Sequence, residues 1–179
     1  TALLPAKVYT KLKADYKVHH KLPRRHTPSH KHLSTLYCHK PKDPFPVMKL
    51  SEMVNVSGAF TEKRETDKEG EKFTWATNDD GHTELTNAQD KTDPNTMSYF
   101  SLAEKIRIHD VACAVVKLSK QDAWDAHIEQ ILRTGKNFGF SRGKELLDAE
   151  HAIRGEIATA FLDNGGCLDA AIDSVYGSS

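Results

Sequence analysis

The stretch DYKVHHKLPRRHTPSHKHLSTLYCHK, residues 15–40, holds six of the chain's ten histidines and one of its three cysteines. It reads either as a solvated cationic arm or as a segment that must dock on something to be ordered. Proline fixes φ, removes a backbone donor and pushes the preceding residue toward extended conformations. Six of the seven prolines (5, 23, 28, 41, 44 and 46) fall within residues 1–50. One short helix is expected there, AKVYTKLKADY, on which Val8, Leu12 and Tyr16 recur at i, i+4 and i+8. The remainder is expected to run as an extended arm with turns at RRHTPS and PKDPFP.

Outward from this stretch the charge pattern changes. Residues 1–50 carry eleven Lys/Arg against two acids, a net +9, whereas the rest carries fourteen against twenty-three. The net charge of zero over 179 residues therefore hides a basic segment joined to an acidic body. Such asymmetry points to an acidic partner: nucleic acid, an acidic protein surface, or the chain's own body. With 38% apolar and 28% charged residues, the chain is expected to form one domain with an extension. Its longest apolar run, VACAVV at 111–116, is too short to span a bilayer. The first residues, TALLPAKVYTKLKADY, lack the apolar segment of a secretory signal. Cys38, Cys113 and Cys167 are odd in number and widely spaced, so an intracellular, reducing compartment is expected.

Residues 51–97 read as a small antiparallel β-meander. MVNVSGAFTEKRET, EKFTWAT and HTELT alternate as strands do, with DKEG and NDDG as hairpin loops. NAQDKTDPN reads as a loop. From residue 98 the apolar spacing turns helical. SLAE suggests a capping box of Ser101 and Glu104 that opens a helix through about Leu118. SKQD offers a start at Ser119 for a helix carrying Trp124, Ile128, Ile131 and Leu132 and stopping at Gly135. Further helices are expected over 142–162 and along LDAAIDSVY. The fold class expected is thus α+β: a basic extended arm (1–50), a β-meander (51–97) and a C-terminal helical bundle (98–179).

The functional expectation is a non-enzymatic assembly subunit. Its arm docks on a polyanion, nucleic acid first, or on neighbouring subunits. Lys21, Arg24, Arg25, Lys31, Lys40 and Lys42 supply the phosphate contacts, which require charge density and no particular spacing. Tyr9, Tyr16 and Tyr37 are stacking platforms for bases. This reading needs no cofactor.

YKVHHKLPRRHTP…HKHLSTLYCHK also resembles the signature of the HNH (ββα-metal) nucleases: a His-His pair followed by proline, a middle histidine before leucine, and a final histidine. The resemblance covers about twenty-five residues. It implies His20 as general base, His32 at the middle position and His19 with His39 as metal ligands. A divalent metal, Zn or Mg, would stabilise the scissile phosphate. The spacings are short, and the family's two-cysteine knuckle is absent. A structural zinc site would draw on Cys38 with His30, His32 or His39.

Other segments carry less. KNFGFSRG, 136–143, resembles the RNP1 strand of RNA-recognition motifs through Lys136, Phe138, Gly139 and Phe140, but its place between two helices favours an interhelical loop. Ser141, Arg142 and Lys144 would suit an anion at a helix N-terminus. His109, His127 and His151 fall on helices and read as core or surface residues, although Asp148 and His151 have the i, i+3 spacing of bundle metal sites. Trp124 and Trp75 read as core anchors, and Cys113 as a small buried hydrophobe.

Overall fold

The computed structural model describes residues 3–40, 42–56, 73–77, 83–87, 98–138 and 143–177. The molecule is helical. Helix α1 spans Ala6–His19 and α2 His30–Tyr37, followed by a 3₁₀ turn at Leu50–Glu52. Helix α3 spans Tyr99–Val115, α4 Asp125–Phe138, α5 Gly143–Asp163 and α6 Leu168–Val175.

Helix α1 starts behind Pro5, whose carbonyl accepts the first helical hydrogen bond from Tyr9 N at 3.0 Å. Leu12 and Tyr16 are buried along the expected stripe. Helix α2 was hidden by the surrounding prolines. Ser29 caps it, its hydroxyl accepting from His32 N at 3.0 Å, and Leu33 and Leu36 then face inward one turn apart. Eight residues do not hold a helix in water, so α2 exists because it packs on α3. The chain before α1 is strapped to it: Leu4 N donates to Ser34 Oγ, and His30 Nε2 donates to Leu4 O, both at 2.9 Å.

This overturns the extended arm. Leu4, Leu12, Tyr16, Leu33, Leu36, Phe45 and Met48 are all buried, in one core with the C-terminal helices. Residues 1–50 form one wall of the domain. The basic character persists because apolar side chains turn in and the lysines and arginines turn out.

The α+β class is overturned as well. The core of the described residues is built from helices and the segments joining them. Of the expected meander, a single antiparallel pair is described, Phe73–Thr77 with Thr83–Asn87, in register Trp75 to Leu85. The strand and hairpin expectations at 57–72 and 78–82, and the loop at 88–97, lie outside the described residues. Val54 to Val56 do not begin a meander strand; Asn55 makes an isolated bridge to Pro28, and its side chain accepts from Thr27 N at 2.9 Å.

Helix α3 is the axle. It carries buried residues on every side and packs against α1, α2, α4 and α5, as an all-round apolar helix must. Its cap is Ser98, whose hydroxyl accepts from Ser101 N at 3.1 Å. The expected capping box at Ser101 therefore sits one turn inside the helix, and Glu104 turns instead to an ion pair with His26. Ser119 does not cap α4. A buried carboxylate from α3 serves that end: Asp110 accepts from Asp122 N and Trp124 N, each at 3.2 Å. Helix α4 also runs through Gly135, which faces Tyr99 so closely that an added Cβ would overlap Tyr99 Cβ and Cγ. Helix α5 ends in Gly165 and Gly166, both left-handed, with Gly166 N bonded back to Phe161 O at 2.8 Å.

Candidate functional site

Two features concentrate polar chemistry: a buried network through the core, and a basic groove on the surface beside it.

The buried network begins at His32 on α2. Its Nε2 lies 2.9 Å from His109 Nδ1 of α3, with the rings stacked at 12°. Two N–H groups cannot face each other at that distance, so at least one of the two imidazoles is neutral. His109 Nε2 lies 4.0 Å from Cys113 Sγ, while His32 Nδ1 has no partner among the described residues. An unpaired buried lone pair costs less than an unpaired buried N–H, so His32 Nε2 is assigned as the donor and His109 Nδ1 as the acceptor. Burial drives His32 down to about 3. His109 lies well below the ordinary imidazole value, from burial first and then from its neighbours His32, Arg154 and His127. Burial pushes the Cys113 thiol far up, which makes it an inert core group.

Trp124 then separates His109 from His127, with ring centroids at 5.0 and 5.6 Å. His127 Nε2 donates to Glu150 Oε2 at 2.8 Å, and its Nδ1 accepts from the Tyr176 hydroxyl. Arg154 completes the chain. Nε and Nη2 reach the two Glu150 oxygens at 2.5 and 3.0 Å, and Nη1 donates to Met48 O at 2.6 Å. Burial alone would raise Glu150, but the His127 hydrogen bond and the Arg154 charge outweigh it, and the carboxyl lies below its ordinary value. Every charge in the network is paired, and its work is to join α4, α5, α6 and the Met48 segment.

The surface feature lies where α1 ends and the α3–α4 connection passes. One groove of about 650 Å³ is lined by Lys17, Val18, His19, His20, Lys21, Leu22, Arg24 and Thr27. A second of about 440 Å³ shares His19 and His20 and adds Asp15, Tyr16, Lys117, Ser119, Lys120 and Gln121 with an apolar floor from Ala114 and Val115. Tyr16 donates to Gln121 Oε1 at 2.8 Å and fixes the junction. Asp15 is the one acid in either lining, and it is bonded to Lys117 and Lys11. Among the described residues, Lys17, Lys21 and Arg24 make no ion pair.

Of the six cations expected to meet phosphate, Lys21 and Arg24 line this groove. Arg25, Lys31, Lys40 and Lys42 are exposed but line neither part. Lys17, Lys117 and Lys120 join instead. Their signal was not in local sequence, because Lys117 and Lys120 come from the acidic part of the chain and meet α1 only in the fold. Of the three stacking tyrosines, Tyr37 is exposed, Tyr16 is buried with its hydroxyl at the groove, and Tyr9 packs on the His30 ring.

The four histidines of the nuclease resemblance are not brought together. His19 and His20 line the groove, whereas His32 is fully buried against His109. His39 packs on Phe45 and Phe161, and its Nε2 donates to Asp43 O and Pro44 O at 2.9 Å each. The four histidines thus sit in three separate places: His39 against Phe45 and Phe161, His32 in the core, and His19 with His20 at the groove. Cys38 is exposed at the end of α2, apart from the bonds that hold His30 and His32. No group of three or more His, Cys, Asp or Glu among the described residues is placed to hold a metal. Asp148 and His151 are exposed, while the neighbouring Glu150 supplies the buried carboxylate. Lys136 and Asn137 finish α4 rather than forming a strand, and residues 139–142, including the Ser141 and Arg142 anion site, lie outside the described residues.

No helix among the described residues is long and apolar enough to cross a membrane. No family model, curated protein or solved structure matches the chain.

Proposed function

We propose that this chain is a non-enzymatic docking subunit that holds a polyanion, nucleic acid first, in the basic groove at the end of α1. The observation that supports the reading is the groove itself. Lys17, Lys21, Arg24, Lys117 and Lys120 surround a shared His19–His20 junction, with Asp15 the one acid among the lining residues. Cations at that density neutralise phosphates and release counterions. The apolar surfaces of Val18 and Leu22 lie between them, which suits a ligand offering both charge and flat apolar faces. A reducing interior compartment is the setting that goes with this reading, in keeping with the exposure of Cys38 and Cys167.

The test is a titration of a labelled oligodeoxynucleotide with the full chain across a potassium chloride series. Five phosphate contacts predict a slope of log K against log salt of roughly −3 to −4. The double variant Lys21→Glu/Arg24→Glu should bind at least roughly tenfold more weakly. Absence of wild-type binding at physiological salt, or unchanged binding by the double variant, rejects the reading.

A further inference from the structure

The groove carries an anion of its own. Asp15 Oδ2 accepts from Lys117 Nζ at 2.8 Å and from Lys11 Nζ at 3.2 Å. One oxygen between two ammonium groups is the arrangement that a non-bridging phosphate oxygen adopts between lysines.

We propose that the Asp15 carboxylate is the groove's resident counter-anion, holding on Lys117 and Lys11 the position that a phosphate of the bound polyanion takes when it displaces it. This inference rests on the groove being the polyanion site, and it adds an internal competitor that sets how strongly the site binds.

Three observations carry it. First, Asp15 is the one acid lining either part of the groove, so no other carboxylate of the lining competes for these cations. Second, the ion pair is not what holds the α3–α4 connection in place. Leu118 N bonds to Cys113 O at 2.9 Å, Lys120 N to Asp169 Oδ1 at 3.2 Å, and Gln121 receives the Tyr16 hydroxyl. These bonds fix the backbone around Lys117, which is itself left-handed at φ 64°. Third, the pair is open to solvent. The Lys117 and Lys11 side chains are 61% and 75% exposed and that of Asp15 33%, so the contact is weak and exchangeable. The lysines hold the Asp15 carboxyl below its ordinary value, and it is charged at neutral pH.

The experiment compares wild type, Asp15→Asn, Asp15→Asn/Lys117→Gln and Asp43→Asn, all in the full chain. The probe is a labelled oligothymidylate, read by fluorescence anisotropy across a salt series. Asp43 is exposed and lines neither part of the groove, so its variant makes the same charge change elsewhere. Asp15→Asn should bind roughly two- to fivefold tighter, the worth of one exposed charge pair. Its salt slope should stay that of wild type, because Lys117 is already one of the five cations that meet phosphate. Adding Lys117→Gln should undo the tightening and flatten the slope by roughly 0.7, the value of one phosphate on a single strand. Equal tightening in Asp43→Asn means that net charge alone acts, and overturns the inference. So does wild-type affinity in Asp15→Asn. A wild type that does not bind removes the functional reading itself, an outcome distinct from these two. Circular dichroism and a melting curve on each variant exclude misfolding as the source of any change.

Discussion

His32 and His109, 77 residues apart in the chain, meet in the core through a single nitrogen-to-nitrogen hydrogen bond of 2.9 Å. A second proton on His109 Nδ1 would face the His32 N–H, and one on His32 Nδ1 would be buried with no acceptor among the described residues. An unfolded imidazole takes one up near pH 6.5, whereas His32 resists until about 3 and His109 is also strongly depressed. The pair's contribution is complete above about pH 6.5 and is lost as pH falls toward the folded values. The melting temperature should therefore decline by a few degrees per pH unit between about 6 and 4.5, at ~1.4 kcal/mol per proton. His109→Phe should melt lower at pH 7.5, yet decline less on acidification. A wild-type melting temperature that is flat from pH 7 to 5 would contradict this.

Asp110 works in the opposite direction. Burial, followed by the Asp122 and Asp125 charges, raises it to about 6, although two backbone amides pull it down. A carboxyl raised in the folded state favours folding below its unfolded value near 3.8, and that gain is lost as pH rises through about 6. Asp110→Asn keeps one acceptor for two amides and should cost about 1 kcal/mol at pH 5. The cost should shrink toward pH 8, where the wild type must bury a charge. Urea titrations at the two pH values measure the difference.

Arg154→Met strands the Glu150 carboxylate and leaves Met48 O without its donor. Removing one partner of a buried pair costs about 3–5 kcal/mol. The double variant Glu150→Leu/Arg154→Met should recover part of that loss. If the single variant melts within a degree or two of wild type, the network is not what joins these helices.

Gly135→Ala places a methyl group inside the Tyr99 side chain at its rigid end, Cβ and Cγ, where no rotamer change gives relief. Helices α3 and α4 must move apart, at a cost of about 1–3 kcal/mol. Gly155→Ala serves as the control, because nothing lies within 4 Å of that position. It should be neutral or slightly stabilising through helix propensity.

Deleting residues 1–50 removes seven buried hydrophobic side chains from Leu4 to Met48. At about 1.5–3 kcal/mol each, these are as large as the usual ~5–15 kcal/mol of net stability. Residues 51–179 alone should show no cooperative thermal transition. A sharp melting transition in that fragment would restore the detachable arm.

The helices with sustained apolar periodicity were legible in sequence. Expectations of 142–162 and LDAAIDSVY stand against observed spans of Gly143–Asp163 and Leu168–Val175. Trp124 as an anchor and Cys113 as a buried hydrophobe were legible too. Helix α2 was not, because proline density outweighed its short pattern: Ser29 followed by inward Leu33 and Leu36. Local composition also said arm where tertiary burial said wall. The capping of α4 by Asp110 crosses twelve residues, and the His127–Glu150 bond crosses twenty-three. Neither leaves a motif of adjacent residues. In the groove, Lys21 and Arg24 were legible as charge, but their meeting with Lys117 and Lys120 depends on how α1 lies on α3.

The bond from Arg154 to Met48 O closes a loop of 106 residues, and the Tyr16–Gln121 bond one of 105. Loop-closure entropy must be met before such contacts return anything. A helical protein with these closures folds more slowly than bundles whose neighbours are adjacent in sequence. The α1–α2 wall is then late to settle, and amide exchange within it should report the last step of assembly rather than the first.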